Sequence, residues 1–135
     1  MISHKKIVAM DMKAKLSTLW IFFLLNLIFR DIHDLFRPGL LEQMMTGVVN
    51  GTQVTDELLL LGGIMVEIPI SMVLLSRLLN YRFNRWANII AGSITLTSII
   101  ANKPIDLDDV FFTTIEIIAL GAIVWLAWQW RKQEA

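Results

Sequence analysis

The chain has 135 residues, 56% of them hydrophobic, and a mean hydropathy of +0.61, more apolar than an average soluble domain. Twelve basic and twelve acidic residues cancel, so no global basic field points to nucleic acid. The absence of cysteine excludes disulfides, thiolate metal sites, iron–sulfur clusters and thiol redox relays, and two histidines, His4 and His33, with His4 in a tail, argue against a transmembrane haem held by one chain.

Residues 1–15 are polar and basic, with Lys5, Lys6, Lys13 and Lys15. The apolar run behind them is too long for a signal-peptide core. It leads into Arg30 and Asp31 instead of a small-residue cleavage site. It reads as a retained first span, Leu16–Phe36.

Residues 37–57 form the longest connection, opened by the helix-ending pair Pro38 and Gly39. Leu40–Val49 carries Leu41, Met44, Met45 and Val48 on one side. That is the pattern of a short amphipathic helix at the interface or folded back over the bundle, and an ordered loop fits the same residues. Asn50-Gly51-Thr52 matches a glycosylation acceptor, but Asn-Gly is a turn signal and is read as a turn. Thr55 suits an N-cap, with Asp56 and Glu57 in the first turn of the helix it opens.

The second span, Leu58–Leu79, is a long apolar run with Glu67 in its middle and Pro69 two residues later. A carboxylate near the bilayer centre is costly, which makes it a functional candidate. Pro69 should bend the helix and free the carbonyl of Met65, and a structural kink outweighs a ligand role in this reading. Gly63, Glu67 and Ser71 share one stripe, and small residues at that spacing let another helix approach.

After Asn80–Arg85, the third span covers Trp86–Ala101 and stops at Asn102-Lys103-Pro104. Asn84, Asn88, Ala91, Thr95, Ser98 and Asn102 recur at spacings of four and three, a small-and-polar seam expected to face the other helices and to make this the most enclosed span. Thr95 and Ser98 are candidates to line a ligand site. Residues 105–109 are acidic, and the fourth span covers Val110–Trp130, with Thr113 and Glu116 in its first turns.

The predicted fold is an all-α membrane protein, a four-transmembrane-helix bundle in a single domain over 1–135. Lys5, Lys6, Lys13, Lys15, Arg77, Arg82, Arg85, Arg131 and Lys132 would lie on one side, nine of the 12 basic residues, so both termini should be cytoplasmic in a multi-pass protein of the inner (plasma) membrane. Trp20, Trp86, Trp125, Trp128 and Trp130 fall near the same ends of their helices.

Within the first span, Asn26, Arg30, His33, Asp34 and Arg37 fall in an arc of about 100°, and Arg30 lies about 9 Å below its outer end. Arg30 and Asp34, four apart, can pair, while Asp31 points elsewhere. His33 and Asp34 could equally sit at the outer interface. Counted from the outer ends, Arg30 and Glu116 are level, with Asn26 and Glu67 a turn deeper. The expectation is one electrostatic unit of Arg30, Glu67 and Glu116. The ligand- or proton-binding candidates are therefore Asn26, Arg30, Asp34, Glu67, Thr95 and Glu116, with no catalytic set, metal site or cofactor.

Leu16-Ser17-Thr18-Leu19-Trp20, Met65-Val66-Glu67-Ile68-Pro69, Asn84-Arg85-Trp86-Ala87-Asn88 and Phe112 to Glu116 resemble an uncharacterised family of small four-span bacterial membrane proteins, across nearly the whole chain. More loosely, topology and Glu67 resemble the DoxX-like group, four-span proteins with an acid in the second helix. The resemblance implies a four-span fold and a membrane location, and no reaction.

The leading expectation for function is a bundle in the lipid bilayer that holds a lipid- or quinone-like hydrophobic ligand, or serves as a subunit of a membrane complex, alone or as a homo-oligomer. The alternative is a proton-coupled small-molecule transporter acting as an oligomer, since four spans and a membrane carboxylate resemble small multidrug exporters. Those carry their essential acid in the first helix. Here Arg30 stands beside Asp31 there, and the central acids lie in the second and fourth spans, which ranks the transporter second. An enzyme ranks third, because no nucleophile–base pair stands out.

Overall fold

The computed structural model describes residues 3–132, so the end of the charged C-terminal tail lies outside the described residues. Helix α1 runs His4–Asp34, opened by Ser3, whose hydroxyl accepts from the Lys6 amide. It starts well before the apolar run at Leu16. The residues between are mostly good helix formers, an Asp11–Lys15 pair at 2.9 Å bridges one turn, and Met12 packs against the core.

Gly39, at φ +86°, turns the chain into the short helix α2, Leu40–Thr46. The expected helix over Leu40–Val49 is cut short by Gly47 at φ +79°. Val48–Val49 (β1) then pairs antiparallel with Thr52–Gln53 (β2). Asn50 and Gly51, at φ +50° and +79°, make the tight turn that the Asn-Gly pair calls for. Leu40 is buried, whereas Leu41, Met44, Met45 and Val48 are exposed.

Helix α3, Asp56–Leu78, begins at Thr55, whose hydroxyl accepts from the Leu58 amide at 3.2 Å. Helix α4, Tyr81–Ala101, follows its cap residue Asn80 and starts five residues before the apolar stretch at Trp86, because the Asn80 side chain caps the Phe83 amide. Helix α5, Leu107–Gln129, is capped by Asp106 through the Asp109 amide.

Among the described residues, α1, α3 and α5 are long and apolar enough to cross a membrane, and α4 is not by composition. Helix α1 packs on α3 and α5, and α4 packs on the same two. The enclosed core includes Leu16, Trp20, Phe23, Met72, Ala91, Leu120 and Ile123. Leu59, Leu60, Ile64, Leu74, Ile90 and Ile118 are among many large apolar side chains left exposed, a surface that suits lipid and not water.

Helix α4 buries Asn84, Asn88, Ala91, Gly92, Thr95 and Ile99, so the polar seam faces inward for four of its six members. Ser98 is half-buried and Asn102 exposed. Enclosure is shared with α5, which buries Asp109, Thr113, Glu116, Leu120, Ile123 and Ala127. Gly92 lies so close to α5 that a Cβ would stand 2.8 Å from Val124 Cγ2. Ala91→Leu should therefore overpack the bundle and cost about 1–3 kcal/mol. Ile90→Leu, on the exposed side at 55% exposure, should be nearly silent. Equal losses of the two variants in detergent unfolding would show the seam to be misplaced.

One buried polar knot ties three helices. The Asn88 carbonyl oxygen accepts from Trp20 Nε1 at 2.8 Å and from the Ser76 hydroxyl at 3.2 Å. Its amide donates to the Asn84 backbone carbonyl and to Asn84 Oδ1, at 2.9 and 2.7 Å. Asn84 in turn donates to the carbonyls of Ser76 and Leu79. The Ser17 hydroxyl donates to the Val73 carbonyl at 2.8 Å.

Candidate functional site

Arg30 occupies the last turns of α1, and Thr113 and Glu116 the first turns of α5. The two helices run antiparallel, so these residues meet. Arg30 Nη1 donates to Glu116 Oε2 at 2.7 Å and to Thr113 Oγ1 at 3.2 Å. Glu116 is fully buried, and the Arg30 side chain is 16% exposed. An ion pair withdrawn from water to this degree holds only with close geometry and added hydrogen bonds. Thr113 supplies one such bond. Glu116 Oε1 has no partner among the described residues.

The expected three-member unit is not formed. Pro69, Met72 and Ser76 are the buried residues of α3, and at 100° per residue Glu67 lies about 140–200° round the helix from them. Glu67 is exposed, and its bond is from the Ser71 hydroxyl one turn on, at 3.3 Å. Asn26 also stays apart: its amide donates to the Phe22 carbonyl of its own helix at 2.8 Å. Asp34 pairs with Arg37 at 2.7 Å, and not with Arg30, because Glu116 already holds the Arg30 guanidinium.

Beside the Arg30–Glu116 pair is a cavity of about 440 Å³ between α1, α3 and α4. Phe23 and Leu27 of α1, Met65 and Pro69 of α3, and Ile99 of α4 give it apolar walls, with Arg30 and Asp31 as its charged members. Thr95 and Ser98 line it as well, and the buried Thr95 hydroxyl has no partner among the described residues. Leu58, Leu61, Gly62 and Val66 of its wall are themselves exposed. Sequence reasoning aimed Asp31 elsewhere. It lines this cavity, 4.0 Å from Arg30 Nε, because the cavity lies on the α3 side of α1 and Glu116 on the α5 side.

Toward the helix ends, Arg37 clasps three acids: Asp34 at 2.7 Å, Asp106 at 2.8 Å and Asp109 at 3.2 Å. This centre was missed in sequence, although a basic residue facing an acidic stretch at 105–109 was the available signal. His33 lies 3.9 Å from Asp108, with its ring tilted on Phe112. A hydrogen bond with Asp108 first, then the Asp109 amide and the Arg37 charge, hold the Asp106 carboxyl below the ordinary aspartate range. A carboxyl depressed on folding stabilises above its unfolded pKa, and that contribution is lost as pH falls through the lower folded one. The clasp should thus persist at neutral pH and release only in acid. A carboxyl-carbon NMR titration of Asp106 should show its midpoint moving upward in Arg37→Gln, and an unmoved midpoint would remove Arg37 as a cause.

Among the described residues, no group of three or more histidine, aspartate or glutamate side chains is arranged to hold a metal ion. The family model DUF6326, described as a family of unknown function, matches residues 5–135. No curated protein and no solved structure matches the chain.

Proposed function

The chain belongs to the family DUF6326, a family of unknown function, and from its own geometry we propose that it is a four-span protein of the inner membrane that holds an amphiphilic, lipid- or quinone-like ligand. The observation that carries this is the cavity of about 440 Å³ between α1, α3 and α4, within the size range of small-molecule sites. Its apolar walls suit a chain or ring. Arg30 and Asp31 suit a polar head, and Thr95 offers a hydroxyl that has no partner among the described residues. The exposed wall residues of α3 leave a sideways entrance at the level of the span, so a ligand dissolved in the bilayer reaches the site without crossing water. Arg30 stays oriented for that head by Glu116 and Thr113 behind it.

The test is chemical. Protein purified in a mild detergent should carry a lipid or quinone detectable by native mass spectrometry. Gly62 lines the cavity, and a Cβ on it meets nothing within 4 Å, so Gly62→Trp should fill the site, fold normally and lose the ligand. Ligand absent from the wild type, or equally present in Gly62→Trp, would overturn the reading.

In this reading α4 is the fourth span and both termini are cytoplasmic. Its 21 residues reach about 31 Å, enough for the hydrocarbon core. Its low hydropathy comes from an inward seam, while Phe83, Trp86, Ile90, Ile94 and Ile100 are exposed. Single cysteines at Gly51 and Lys132 can be treated with an impermeant thiol reagent on intact cells. Gly51 should label and Lys132 should not, and the reverse would invert the topology.

A further inference from the structure

We propose that the cavity at the end of the bundle where α5 finishes binds the headgroup of an anionic phospholipid, with Arg85, Arg131 and Lys132 as its cationic contacts.

This cavity is separate from the one beside Arg30. It measures about 900 Å³ and lies between the start of α4, the end of α5 and Met12 of α1. Side chains of α4 hold the end of α5 in place. Arg85 Nε donates to the Ala127 carbonyl at 3.1 Å, and Nη2 to the Trp128 carbonyl at 3.0 Å. The Tyr81 hydroxyl donates to the Trp130 carbonyl at 2.9 Å. The Arg85 guanidinium also lies against two rings, 5.5 Å from the centre of Trp86 and 5.6 Å from that of Trp128. Its two bonds leave Nη1 without a partner among the described residues. Arg85 is thus a fixed cation with donors to spare.

Charge selects the occupant. Arg131 and Lys132 line the same cavity and are exposed. No acid lines it, and no acid pairs with these three cations among the described residues. Asp11, beside Met12 in the chain, is already paired with Lys15 at 2.9 Å. Cations gathered in one concave site repel one another unless an anion sits among them. A zwitterionic head would bring an ammonium into that field, so a net anionic head fits better.

Depth selects the source of the anion. Helices α1 and α5 are long and apolar enough to cross a membrane. The cavity lies at the end of α5, with Trp125 and Trp128 on its wall and largely exposed. Tryptophans at the end of a span sit at headgroup level, and basic pockets between helices take anionic heads there. Trp125 and Leu126 give the first carbons of a lipid chain an apolar wall. Trp130 lines the cavity as well, and its buried Nε1 has no partner among the described residues.

The full chain can be placed in nanodiscs of phosphatidylcholine with a minor share of phosphatidylglycerol and weighed by native mass spectrometry. It should retain phosphatidylglycerol in preference. Arg131→Gln with Lys132→Gln, at exposed positions, should leave the fold intact and lower that preference about tenfold or more. Arg77→Gln with Arg82→Gln removes the same charge from exposed positions at the same end of the bundle, outside the cavity, and should leave the preference unchanged. Gly62→Trp, which fills the cavity beside Arg30, should lose that cavity's ligand and keep this lipid. Excess inorganic phosphate should not displace it. Equal retention of the two lipids, an unchanged preference in the Arg131 and Lys132 variant, or an equal fall in the Arg77 and Arg82 variant would each overturn the proposal. So would loss of phosphatidylglycerol in Gly62→Trp or its displacement by inorganic phosphate.

Discussion

Arg30→Leu should lower the stability of the folded protein by about 3–5 kcal/mol, the cost of leaving a buried charge without its partner. Glu116 is fully buried and holds the guanidinium at 2.7 Å. Without Arg30, its Oε2 joins Oε1, which already lacks a partner among the described residues. Thr113 loses the donor it accepts from. The pair is separable from the two positions by a double-mutant cycle. Arg30→Leu with Glu116→Leu together should be less destabilising than Arg30→Leu alone, since no charge is then stranded. Strictly additive losses in detergent unfolding would show that the two side chains do not support each other. Glu67→Gln should leave this measurement unchanged, because Glu67 lies on the far side of α3 from the pair.

The second large effect should come from Asn88→Ala. Asn88 is fully buried, and both lone-pair positions of its oxygen and both amide hydrogens are used. Truncation leaves Trp20 Nε1, the Ser76 hydroxyl and Asn84 Oδ1 without that partner. A stranded buried polar group costs about 1–3 kcal/mol. Hydrogen bonds within membranes average nearer 0.6 kcal/mol, because the unfolded reference finds partners too. A loss of about 2–4 kcal/mol is expected from three such groups. Ser76→Ala removes one donor and leaves Asn88 its bond from Trp20, so it should cost less than about 1 kcal/mol. Losses of the same size in both variants would show that Asn88 is not the centre of the knot.

The segments of the family resemblance gain a physical meaning here. Ser17 and Trp20 come from the first of them and Asn84 and Asn88 from the third, and they build the knot that joins α1, α3 and α4. Thr113 and Glu116 come from the last and hold Arg30. Met65 and Pro69 line the cavity, while Glu67 between them faces outward.

Local chemistry was legible in the chain by itself. Thr55 before two acids marks a helix start, Asn50-Gly51 marks a tight turn, and four apolar or seamed stretches mark four long helices. Counting residues from the end of the first apolar stretch and the start of the last also set Arg30 level with Glu116, since rise per residue is fixed and depth follows from sequence position. What counting cannot supply is rotation about the helix axis. Helix α3 is apolar on nearly every side, so no stripe in its sequence says which side faces in. That is decided by contacts with other helices: Ser17 on the Val73 carbonyl, Asn84 on the Ser76 carbonyl, and Pro69 and Met72 turned to the core. Those contacts carry Glu67 to the outside and separate it from Arg30. The same tertiary packing gives Asp34 to Arg37 and brings Asp31 to the cavity. Position along an apolar helix is written in the chain, and its rotation is set by the few polar groups that must find partners on its neighbours.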